Sequence, residues 1–120
     1  GSAYARLMAL WQSWIEDPVH GGWAENCLIV KLAAEVSDLS EDMRQILNYG
    51  VRKLTEGVAA LLREGQQEGS IPQHIDPAKM AQVMYQLWLG AALLAKLAQD
   101  KAPLHLALET TQNLLQPIKE

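Results

Sequence analysis

Cys27 is the only thiol in this 120-residue chain, and it stands where a thiol can be made reactive. It opens the stretch Cys27-Leu-Ile-Val-Lys-Leu-Ala-Ala-Glu-Val-Ser-Asp-Leu-Ser-Glu-Asp-Met-Arg44, in the first turn of an apolar helix and four residues before Lys31. The first N–H groups of a helix have no partner within it, and the positive end of the helix dipole lies there, so a thiolate is favoured. A thiolate adds to electrophiles and is oxidised in steps. On spacing alone, however, a lone helix cysteine is more often a small buried hydrophobe. Lys96 is the second oddity. It is a single charge inside the apolar run 87–97, where it either snorkels to solvent or finds a carboxylate. Trp11, Trp14, Trp23 and Trp88 could line a pocket, although as isolated residues they read more simply as core.

Other chemistry finds little support. His20, His74 and His105 are far apart, and none belongs to a metal-spaced pair. His105 and Glu109 share a helix face, a pattern that is usually a surface contact. No phosphate-binding glycine loop, nucleophile elbow or zinc-protease helix is present. A thiol-dependent hydrolase or transferase would need a histidine beside Cys27, and only His20 is near in sequence. The expectation is therefore a non-enzyme without metal or cofactor.

The elements that must position these residues are helical throughout. Leu, Ala and Gln dominate, Phe is absent and β-branched runs are scarce, a composition that favours helices through propensity alone. The periodicity predicts five helices. The first covers 3–16, with Tyr4, Leu7, Met8, Trp11, Trp14 and Ile15 at helical spacing, and Asp17-Pro18 ends it. The second starts at Glu25 or Asn26 and carries Cys27, Leu28, Val30 and Ala34. A corner follows, where Asp38 and Glu41 have the spacing of a capping box. The third, about 40–68, carries Met43, Ile46, Leu47, Val51, Leu54, Val58, Leu61 and Leu62 three or four apart. Gly50 and Gly57 lie inside it on one face, each costing roughly 1 kcal/mol against alanine unless another helix packs closely there. Residues 65–71 read as a flexible polar turn.

Asp76-Pro77 starts the fourth helix, with an N-cap carboxylate and proline at the first helical position. Its stripe is Met80, Val83, Met84, Leu87 and Trp88, but 89–98 is apolar nearly all round and must be covered on every side. Pro103 starts the last helix, which carries Leu104, Leu106, Leu108, Leu114 and Leu115. Four short helices cannot cover the apolar run within one chain, so the last two are expected to pack on their copies as a twofold four-helix bundle. The interface residues expected are Leu87, Leu89, Leu93, Leu94, Leu97, Leu104, Leu108 and Leu115.

A chain of this length forms one domain. A net charge of −4 and a pI near 5.3 argue against a direct nucleic-acid surface, which needs clustered Lys and Arg. A single cysteine excludes an intrachain disulfide and fits a reducing, cytoplasmic setting. No signal peptide is readable, and the longest apolar run is too short to span a bilayer. Gly1-Ser2 looks like a protease scar left by recombinant expression, and the helical pattern already running at Ala3 suggests that the natural protein begins further upstream.

The segment Cys27–Arg44, with Leu87-Trp-Leu-Gly-Ala91 and Ala95-Lys96, resembles the effector domain of bacterial TetR-family repressors, above all the N-ethylmaleimide-responsive, NemR-type members. The likeness covers about 22–117. It implies an all-α, five-helix C-terminal domain (3–120) that dimerises, senses a small molecule and controls an N-terminal helix-turn-helix absent from this chain. DNA would be met only through that absent part. In NemR-type proteins the cysteine matching Cys27 senses electrophiles and oxidants, and the lysine matching Lys96 partners it. The chain departs from that pattern at Ser37, where a second cysteine would be expected, so an intrachain disulfide could not serve. The alternative keeps the fold, makes Cys27 structural only, and places a reversible apolar ligand among Trp11, Trp14, Trp23, Met43, Leu47, Met84 and Trp88.

Overall fold

The computed structural model describes residues 1–15 and 41–116. These form four helices and no strand: α1 (Ala3–Ile15), α2 (Glu41–Glu68), α3 (Pro77–Ala98) and α4 (Ala102–Leu114). The all-α class and the helix positions agree with the periodicity to within about two residues. The second of the five expected helices, with the Asp38 cap, lies outside the described residues.

The helices close into a ring. α1 packs on α2 and α4, and α3 packs on the same two, while the α1 and α3 backbones face each other diagonally without direct approach. Large side chains must therefore fill the diagonal. Trp11 of α1 and Trp88 of α3 do so, stacked with ring centroids 4.9 Å apart and planes inclined by 6°. Leu7, Ile15, Val58, Leu62, Met84, Leu104 and Leu115 complete the core around them.

Helix ends are tied by groups distant in sequence. The Asp76 carboxylate accepts from Lys79 N–H at 3.2 Å, with Pro77 at the start of α3, as Asp-Pro predicts. The Lys101 ammonium donates to the carbonyl of Ile15, the last described residue of α1, at 3.0 Å. At the other end of α1, Glu68 accepts from Ala3 N–H, Tyr4 N–H donates to Ser70 Oγ, and Arg6 pairs with Glu64. α1 thus runs back along α2 from its last turn.

These bonds hold the Glu68 carboxyl below its ordinary value, first through the Ala3 N–H, then through the Ser70 hydroxyl and the Arg6 charge. A carboxyl lowered in the folded state stabilises the fold while ionised, and that contribution is lost as pH falls through the lowered value. Glu68→Gln is therefore expected to lower the unfolding free energy at neutral pH and to flatten its fall below pH about 4, the ordinary glutamate range, so that the two proteins converge in acid. Urea titrations from neutral to acid pH check this. Parallel curves for the two proteins would contradict it.

Two glycine expectations need correction. The exit from α2 is not a loose turn. Gly69, Ser70 and Ile71 N–H all donate to the Gly65 carbonyl at 2.9, 2.8 and 3.1 Å, and Gly69 takes a left-handed φ of 92°. Ile71 folds back so tightly that a Cβ on Gly65 would lie 2.1 Å from its Cγ1, and Gln66 Nε2 donates to the Pro72 and Ile75 carbonyls. Gly50 and Gly57, by contrast, have open space where a side chain would project, so no helix among the described residues exploits them.

The apolar run of α3 divides in an unexpected way. Ala91, Ala92 and Ala95 are buried, whereas Leu93, Leu94 and Leu97 are exposed. Small residues let α3 lie close to its neighbours in the ring, and the large ones point away from it.

Candidate functional site

Two regions bear on function: the aromatic cluster on the diagonal, and the outward leucine face of α3. The first is built by helical spacing. Trp11 and Trp14 are three apart on α1, and Met84, Tyr85 and Trp88 occupy one face of α3. Trp14 meets Trp11 edge-on at 5.4 Å, Trp88 at 6.2 Å and Tyr85 at 6.2 Å. Trp11, Trp88 and Met84 are fully buried. The structure thus brings together Trp11, Trp14 and Trp88, with Met84 buried in the same core. Met43 and Leu47 stand half-buried in the first turns of α2, outside this cluster, and Trp23 lies outside the described residues.

The polar chemistry of the cluster is uneven. Trp88 Nε1 donates to Thr111 Oγ1 at 3.0 Å, and the Thr111 hydroxyl donates onward to the Ala107 carbonyl at 2.7 Å. Trp11 Nε1 is equally buried and has no acceptor among the described residues. An unmet buried donor costs about 1–3 kcal/mol, and such groups are few in folded proteins. Beside the indoles and Tyr85, Thr111 is the one further buried polar side chain among the described residues, and none of these carries a charge.

Sequence reasoning missed Tyr85 and Thr111. Thr111 was within reach of it: with Leu104, Leu108 and Leu115 it falls at helical spacing, and a hydroxyl on such a stripe needs a buried partner.

The second region is the outward leucine face of α3, with Lys96 on the same helix. Leu93 is 46%, Leu94 57% and Leu97 73% exposed, and Leu106 on α4 is 63% exposed. Leu87, Leu89 and Leu108 are half-buried, while Leu104 and Leu115 are buried in the chain's own core. Those two are thus unavailable to a partner, and Leu106, not among the expected interface residues, is available. Lys96 is exposed in the last turn of α3, at the negative end of its dipole, and meets no carboxylate among the described residues. Cys27, Lys31 and Ser37 lie outside the described residues. No helix among those described is long and apolar enough to cross a membrane.

Comparison with known proteins gives this geometry a family. Residues 3–111 match the family model described as Tetracyclin repressor-like, C-terminal domain. The chain is 36% identical over 115 residues to the HTH-type transcriptional repressor NemR of Escherichia coli K12, covering 96% of this chain and 58% of that protein. It is 32% identical over 101 residues to the transcriptional regulator AcuR of Cereibacter sphaeroides, covering 84% of this chain and 46% of that one. Among solved structures, the reduced form of E. coli NemR superposes with a TM-score of 0.85 at 38% identity, over 97% of this chain and 59% of that one. A putative transcriptional regulator of the TetR/AcrR family superposes with a TM-score of 0.84 at 53% identity, over 97% and 60%. The chain thus spans between 46% and 60% of the length of these relatives. They are regulators of transcription and not enzymes, and this chain, matched along nearly its whole length, belongs to the TetR family as a C-terminal regulatory domain.

Proposed function

We propose that the chain senses reactive electrophiles or oxidants through the Cys27 thiol and relieves DNA binding by a helix-turn-helix lying outside it. The observation that carries this reading is the likeness to the NemR repressor, which runs over 96% of the chain and so takes in both Cys27 and Lys96. The Cys27 thiolate adds to the β-carbon of a conjugated carbonyl, and the α-carbon takes up a proton. With hypochlorous acid, chlorine transfers to sulfur and hydroxide leaves. The Lys96 amine then displaces chloride, loses a proton and forms an S–N bond. Lys96 is exposed in the last turn of α3. Either modification shifts the relative stability of two dimer geometries and with it the spacing of the DNA-reading heads.

The same reading makes the active unit a cytoplasmic homodimer, with the exposed α3 leucines and Leu106 meeting those of a second copy. Mass spectrometry after substoichiometric N-ethylmaleimide tests the sensor. A single adduct on Cys27, formed faster than on glutathione at neutral pH, is the expected result. An unmodified Cys27 in a chain that keeps its helicity would rule it out.

A second reading, a reversible apolar ligand among the aromatic side chains with Cys27 structural only, is favoured by one observation. The buried Trp11 N–H is an unanswered donor in an otherwise apolar cluster.

A further inference from the structure

We infer that Lys101 is a positioning residue for the sensor: by holding the Ile15 carbonyl it sets how the Cys27 sulfur meets the Lys96 amine. The inference rests on the electrophile and oxidant reading and adds a residue to it. The Lys101 ammonium donates to the Ile15 carbonyl at 3.0 Å, across 86 positions of sequence. Ile15 is the last described residue of α1, and Cys27 follows further along the same chain. Lys101 stands in the corner after α3, whose last turn carries Lys96. One hydrogen bond thus joins the root of the segment that bears the sulfur to the corner that ends the amine's helix.

Both ends of that bond are mounted firmly. The Ile15 side chain is 0% exposed, so packing sets its place, and what remains to be set is the direction of its carbonyl. That carbonyl shares a rigid plane with the next nitrogen, so gripping the oxygen directs the outgoing chain. The Lys101 carbonyl accepts from Leu104 and His105 N–H at 2.9 and 3.1 Å, and the Asp100 carboxylate accepts from Ala102 N–H at 2.9 Å. Gln99 before them holds a left-handed φ of 54° and donates its N–H to the Ala95 carbonyl.

Direction matters at one step. A maleimide reaches the thiolate from solution and needs no amine. Once hypochlorous acid has chlorinated the sulfur, the Lys96 amine and water compete for it. The amine displaces chloride, loses a proton and forms the S–N bond; water displaces chloride, loses a proton and leaves a sulfenic acid. The outcome depends on the effective concentration of the amine at the sulfur, which placement governs.

The test treats the native chain, Lys101→Met and Lys101→Arg with substoichiometric hypochlorous acid and maps the products by mass spectrometry without reductant. Methionine loses the donor, whereas arginine keeps one but stays protonated and cannot act as the nucleophile. The ratio of the Cys27–Lys96 link to oxygenated Cys27 is expected to fall about tenfold in Lys101→Met and to recover in Lys101→Arg. N-ethylmaleimide should add to Cys27 at the native rate in both variants, with helicity unchanged, which a general loosening would not give. Should Lys101→Met fail to fold, Lys101→Gln takes its place with the same expectations. An unchanged ratio, a link mapped to Lys101 itself, or a faster maleimide reaction overturns the inference and leaves the sensor reading intact. Absence of the link from the native chain also overturns it, and if Cys27 ignores N-ethylmaleimide as well, the sensor reading falls with it.

Discussion

Trp88→Ala is expected to lower the unfolding free energy by about 3–5 kcal/mol, the range for truncating a fully buried aromatic side chain. Domains of this size are stable by only about 5–15 kcal/mol, so the variant should be poorly folded at room temperature. The reason lies in the ring of helices. Trp88 is 0% exposed, stacks on Trp11, stands edge-on to Trp14 and bonds to Thr111. It fills a diagonal that no backbone approaches, and α2 and α4 hold α1 and α3 apart, so the cavity cannot readily collapse.

Two milder changes separate packing from hydrogen bonding. Thr111→Val leaves the Trp88 N–H buried without an acceptor, at a cost of about 1–3 kcal/mol. Trp88→Phe removes donor and volume together, keeps a ring on the diagonal, and should cost less than Trp88→Ala. The double variant should cost less than the sum of the two, because each removes the same bond. Urea unfolding monitored by helicity measures all four. A Trp88→Ala variant as stable as the native chain would show that the stack does not organise the core.

The sequence made helix faces legible and left open what covers them. Leu7, Trp11, Trp14 and Ile15 were on the expected stripe of α1 and are buried. The period of α2 marks an apolar face along its whole length, yet burial is uneven along it: Val58 and Leu62 are buried, while Ile46 is 62% exposed and Met43 and Leu47 are half-buried. Periodicity records which side is apolar, but the covering element is a tertiary fact. The inward alanines of α3 were not legible for a related reason. Hydropathy ranks leucine above alanine, whereas close approach of helix axes selects the smaller side chain.

The candidate site was readable in its residue types more than in its partners. Trp11, Trp14, Met84 and Trp88 were grouped on their chemistry; the three tryptophan rings touch one another, and Met84 belongs to the same core. That one indole N–H would be answered and its stacked neighbour left unanswered depends on where Thr111 falls across two helices, which spacing within one helix does not encode. The Lys101 bond to the Ile15 carbonyl joins positions 86 residues apart and gave no local sign. The Cys27 and Lys96 pairing rests on resemblance, since the two lie on different predicted helices.

Leu97→Glu is expected to convert the proposed homodimer to monomer at micromolar concentration without loss of helicity. Leu97 is 73% exposed and Leu94 57% exposed on the outward side of α3. Burying a leucine contributes roughly 1.5–3 kcal/mol, and a carboxylate in its place must also be desolvated. In an isologous interface every substitution occurs twice, so the effect doubles. A dissociation constant raised by more than about 100-fold is the result, since each 1.4 kcal/mol is a factor of about ten. Leu94→Glu should act in the same direction. Ile46→Glu supplies the control, because Ile46 is 62% exposed but lies on α2 rather than on α3 or α4. Sedimentation across a concentration series distinguishes the variants. If Leu97→Glu and Leu94→Glu sediment as the native chain does, or if Ile46→Glu dissociates it equally, the leucine face is not where two copies meet.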